Sequence, residues 1–79
     1  MMSVRMDSHG SVYKYRDSAG LQHFVGEFYA DTTADIAGKT QFGDVTADPN
    51  STAYVVKAGK LYVMASDNKW YDTNGNEVE

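Results

Sequence analysis

The segment from Ser51 to Tyr71 constrains the fold more than any other part of this chain. It runs Ser51-Thr52-Ala53-Tyr54-Val55-Val56-Lys57, a tight Ala58-Gly59 turn, Lys60-Leu61-Tyr62-Val63-Met64-Ala65-Ser66, a polar Asp67-Asn68 turn, and Lys69-Trp70-Tyr71. β-Branched and aromatic residues bounded by turn residues at this spacing predict a three-stranded meander. Pairing Lys57 with Lys60 places Tyr54, Val56, Leu61, Val63 and Ala65 on one face and Ala53, Val55, Tyr62 and Met64 on the other. Both faces are apolar, whereas a single small sheet requires only one such face. The hairpin is therefore either sandwiched inside the domain or presents its second face to another chain. Ala53, Val55, Tyr62 and Met64 are taken as the candidate interface, and Tyr54, Trp70 and Tyr71 as a candidate aromatic core or stacking cluster.

Composition extends the reading to the whole chain. Leu and Ile together number three, against eight Val, six Tyr, three Phe and one Trp. The chain is expected to be all-β, a small antiparallel sheet or meander of about five strands with at most one short helical turn. Its 79 residues allow one domain, 1–79. A domain of this size buries only roughly 60% of the surface its unfolded chain exposes, so the core is thin and a homo-oligomer is expected. With no cysteine, neither a disulfide framework nor a thiolate metal site can reinforce it.

Asp7-Ser8-His9-Gly10, Asp17-Ser18-Ala19-Gly20 and Asp72-Thr73-Asn74-Gly75 repeat one pattern, Asp-(Ser or Thr)-x-Gly. Each is expected to be a type I hairpin turn followed by a bulge, with the carboxylate capping the turn and glycine taking the positive φ. Val12–Arg16 and Leu21–Tyr29 should pair as a hairpin, with Gly26 marking a bulge or bend in the second strand. Residues 1–11 are assigned as a flexible arm. Residues 30–50, where Ile36, Phe42 and Val45 are the isolated apolar positions, form a long connecting loop with one helical turn at Thr33–Ile36, capped by Asp31 or Thr32.

Several chemistries lack their residues. The seven basic side chains are scattered and outnumbered by eleven acids, giving a net charge of −4 and no basic stripe for nucleic acid. Gly38-Lys39-Thr40 resembles the end of a phosphate loop, yet Thr33 stands where the first glycine of that motif belongs. His9 and His23 have no third ligand at metal spacing, and the serines sit in turn patterns rather than beside a base. No stretch approaches the ~20 apolar residues of a membrane span. The expectation is a soluble chain made in the cytoplasm, no enzyme, with no cofactor, no metal, no nucleic acid and no membrane partner.

Asp31-Thr32-Thr33-Ala34-Asp35-Ile36, the Ser51-Thr52-Ala53-Tyr54-Val55 strand, the Leu61-Tyr62 strand and the closing Lys69-Trp70-Tyr71 together resemble small structural proteins of tailed bacteriophages. The likeness covers about half the chain; Ile36 stands for the usual leucine, Ala37 for a proline that often follows, and Ala58 for a turn threonine. The resemblance implies an accessory virion protein, a head-decorating, head-fibre or neck component that binds other virion subunits. The alternative from the residues themselves is a glycan or cell-wall binding module using its surface aromatics.

Overall fold

In the computed structural model residues 4–78 are described, and they form seven strands and one 3-10 turn. The strands are β1 (Val4–Arg16), β2 (Gln22–Ala30), β3 (Gln41–Phe42), β4 (Val45–Ala47), β5 (Thr52–Val55), β6 (Lys60–Met64) and β7 (Trp70–Asp72), with the 3-10 turn at Thr33–Asp35. No α-helix occurs among the described residues, so the all-β expectation holds. The expectation of about five antiparallel strands is corrected: the sheet is mixed, in the order β3-β4-β2-β5-β6-β7, with β1 also on β2.

β2 organises this sheet. Antiparallel β1 runs along it from Arg16↔Gln22 to Val4↔Ala30. Parallel β4 pairs with residues 22–24, and parallel β5 then takes over at residues 27–30. The change of neighbour falls at Gly26, where the ladder would otherwise break. Ser51, fully buried, repairs it: its hydroxyl accepts from the Gly26 N–H at 3.0 Å and donates to the Phe24 carbonyl at 3.2 Å. A Cβ on Gly26 would lie 2.7 Å from Cε2 of the buried Phe28 ring, so the position excludes any side chain at the observed packing. Gly26 also faces the largest irregularity of β1, where Ser8–Ser11 stand opposite it alone.

Two of the three Asp-(Ser or Thr)-x-Gly segments are the expected turns. In both, the glycine N–H bonds to the aspartate carbonyl at 3.0 Å, the glycine has φ near +85°, and the carboxylate accepts the N–H two residues on at 2.9 Å. The first copy is corrected. Asp7 Oδ1 accepts the His9 N–H at 3.0 Å as in the others, but the segment is the bulge inside β1 and Gly10 has no positive φ. The assignment of a flexible arm to residues 1–11 is likewise corrected for 4–11, which belong to β1, with Val4 buried; residues 1–3 lie outside the described residues.

The 30–50 segment is not an open loop. The Asp35 carboxylate accepts the Thr32 N–H at 2.9 Å and its hydroxyl at 3.1 Å, fixing the 3-10 turn. The turn delivers Ile36 fully buried into the core, and the β3–β4 hairpin adds Phe42 and Ala47. Each large side chain so buried stabilises by about 1.5–3 kcal/mol. Those residues join Val4, Phe28, Ala30, Ala53, Val55, Tyr62, Met64, Trp70 and Val78 in one cluster. Trp70 packs edge-on to Phe28, 6.4 Å between centroids, and its indole N–H donates to the Lys39 carbonyl at 2.8 Å.

Candidate interaction surface

The β5–β6 hairpin has the expected faces at a different register. Val55 pairs with Lys60 and Tyr54 with Leu61, two residues from the alignment that pairs Lys57 with Lys60. Val56 and Lys57 instead donate their N–H groups to the carbonyls of Ala30 and Asp31, extending the bond pattern with β2. The chain then turns through four residues, Val56–Gly59, with Gly59 at φ 64°. A slip of two preserves the side-chain alternation, so the paired residues keep their faces, while Val56 leaves the ladder for the turn.

The candidate interface is corrected by this placement. Ala53, Val55 and Met64 are fully buried and Tyr62 is 6% exposed, all within the chain's own core. Met64 stands opposite Trp70, which commits that face inward. The outward face is the other one, where Tyr29, Tyr54, Leu61 and Val63 are each about 40% exposed. Cross-strand pairing aligns Arg5, Tyr29, Tyr54 and Leu61 in one row, with Glu27, Thr52, Val63 and Tyr71 in the next. Tyr29 and Tyr54 meet edge to face with centroids 6.5 Å apart. Between them a shallow depression of about 520 Å³ is lined by Glu27, Tyr29, Thr52, Tyr54 and Leu61. Arg5, paired with Tyr29 in the same row, forms an exposed ion pair with Asp31 at 3.1 Å.

The aromatic candidates divide. Tyr54 lies on this outward face, whereas Trp70 is core. Tyr71 is half-buried and its hydroxyl donates to Asp67 Oδ2 at 2.6 Å, which holds the phenol up to a pKa of about 12 and the Asp67 carboxyl below the usual carboxylate range. An apolar sheet face that leaves two tyrosines about 40% exposed suits contact with another macromolecular surface. Tyrosine provides rigid apolar area with one polar tip, a combination enriched at protein interfaces.

A second polar site lies at the far end of β2, and the residues gave no warning of it. His23, which the sequence marks only as lacking a third ligand at metal spacing, is held between Asp48 at 2.7 Å and Asp17 at 2.8 Å. The hydrogen bond to Asp48, then that to Asp17, raises the imidazole pKa above 6.5, and the His23 contact lowers that of Asp17. Asp17 is within reach of His23 through the β1–β2 turn, but Asp48 arrives only through the parallel β2–β4 pairing, which no local pattern announces. No group of three or more His, Asp or Glu among the described residues is placed to hold a metal ion. Comparison with protein-family models, curated proteins and solved structures finds no match.

Proposed function

We propose that this protein is a non-enzymatic accessory component of a tailed-phage virion that binds capsid or neck subunits through the Tyr29, Tyr54, Leu61 and Val63 face. The observation that carries the reading is that this apolar face stays exposed while the reverse of the same hairpin fills the core. Apolar area on one side of a sheet whose other side is already packed serves contact, not folding. The resemblance of the 31–36 turn and the 51–71 meander to small tailed-phage structural proteins supplies the class of partner. A glycan-binding role draws less support: of the tyrosines and Trp that could stack on sugar rings, Tyr62 and Trp70 are buried and the Tyr71 hydroxyl is engaged by Asp67, while the exposed Tyr13 and Tyr15 pack against Phe24 and His23.

The test is mass spectrometry of particles purified from the phage that carries this sequence, followed by co-sedimentation of added protein with particles lacking it. The chain is expected in the particle, and wild type is expected to sediment with it while Leu61→Asp stays in the supernatant as a folded protein. Absence from particles, or undiminished sedimentation of the variant, would overturn the proposal.

A further inference from the structure

Three segments of chain converge on His23. Asp17 comes from the β1–β2 turn and Asp48 from the link between β4 and β5, while Tyr15 of β1 stacks on the imidazole at 4.3 Å with planes 9° apart. The side chain of His23 is only 13% exposed. An ionised carboxylate accepts hydrogen bonds and donates none, so both ring nitrogens must carry protons to satisfy both partners. A neutral ring has one N–H. It would turn a lone pair toward the other carboxylate at under 3 Å, where two acceptors repel.

Little else competes for these groups. The charges acting on the ring are Asp48 and Asp17. Thr46, beside His23 in the β2–β4 ladder, and Asn68, across an open cavity of about 440 Å³, are neutral. The guanidinium of Arg16 donates to the Gly20 carbonyl, and Asp44 accepts from the Gln22 side chain at 3.3 Å. Among the described residues no Lys or Arg forms an ion pair with Asp17 or Asp48.

The position of the cluster gives it leverage. β4 joins β2 through only three residue pairs and β3 through two, yet it anchors the hairpin that puts Phe42 and Ala47 into the core. The His23–Asp48 bond fastens the end of β4 to β2. The geometry points to a proton-dependent latch: protonated His23 clips the β3–β4 hairpin and the 48–51 link onto β2, and loss of one ring proton leaves a single N–H for two carboxylates and weakens that clip, so the hairpin opens more often. The latch is independent of the assembly proposed above.

Opening then releases one proton wherever the open form is deprotonated and the closed form is not. Below about pH 6.5 both forms hold it and opening does not depend on pH; above, opening grows up to about tenfold per pH unit until the closed ring also deprotonates. The test is an NMR titration of the ring nitrogens, with exchange protection of the Gln22, Ala47 and Asp48 amides followed over the same range in wild type and His23→Gln. Those three amides donate to Asp44, Thr40 and Phe24 carbonyls around the clip. Expected are two protonated ring nitrogens at pH 6.5, a midpoint above 6.5, protection falling as predicted in wild type, and a flat profile in His23→Gln. A ring midpoint at or below 6.5, protection that ignores the ring titration, or the same pH dependence in His23→Gln would overturn the proposal. The wild-type titration decides alone if the variant fails to fold.

Discussion

At Ser51 one hydroxyl stands in for the neighbour that β2 lacks between β4 and β5. Replacing Ser51 with Ala leaves the Gly26 N–H without its acceptor, while the Phe24 carbonyl keeps the Asp48 N–H at 2.9 Å. One buried unsatisfied donor costs about 1–3 kcal/mol, to be read from the urea midpoint of Ser51→Ala. Gly26→Ala is expected to cost a similar ~1–3 kcal/mol by driving a methyl into the Phe28 ring. Protons weigh on the same scale. The His23 contact lowers the Asp17 pKa, the Thr32 N–H that of Asp35, the Tyr71 hydroxyl that of Asp67 and the Asn76 N–H that of Asp72, so their stabilisation is present above 3.8 and lost as pH falls through the lowered values. For His23 the sign reverses: a raised pKa gives stabilisation complete below 6.5 and lost as pH rises through the folded value. Urea midpoints should therefore peak between pH 3.8 and 6.5 and fall on both sides. Gly26 was legible as an interruption in a strand, but Ser51 was one polar residue among many, because its partners lie 25 and 27 positions away.

Strands were legible where hydrophobic alternation is local, and their pairing was not where it depends on distant segments. The faces of the β5–β6 hairpin follow from the alternation alone and survive the two-residue slip, but which face is core follows from the Met64–Trp70 pairing across the next turn. That pairing was available in the sequence as the signal that would have reversed the interface assignment, since the single Trp marks the core side. The parallel contacts of β2 had no such signal: β4 and β5 reach it through the 31–51 segment, whose sparse apolar residues read as loop although Ile36, Phe42 and Ala47 are all core. Paired substitutions separate the faces. Val55→Asp buries an unpaired charge and is expected to unfold the protein, whereas Val63→Asp, at a position 38% exposed, should change stability by about 0.5 kcal/mol or less. Circular dichroism melts of the two variants check this directly.

As a whole the molecule is as closed as an independent domain of its size. Its accessible surface is 4823 Å², against about 4,700 Å² for a compact monomer of this mass. Its radius of gyration is 11.6 Å, against about 11.6 Å for a chain of this length. The folded 31–51 segment adds to the thin core from within, by laying Ile36, Phe42 and Ala47 against the sheet. The outward face is thus free for a partner without being needed for folding, and the fold should form at low concentration where any assembly dissociates. Hydroxyl-radical footprinting of the free and particle-bound protein tests this division most directly. Tyr54 and Leu61 are expected to be labelled in the free protein and protected on the particle of the proposed assembly, while Met64 and Trp70 remain unlabelled in both. Labelling of Met64 in the folded free protein, or unchanged labelling of Tyr54 and Leu61 on the particle, would contradict it.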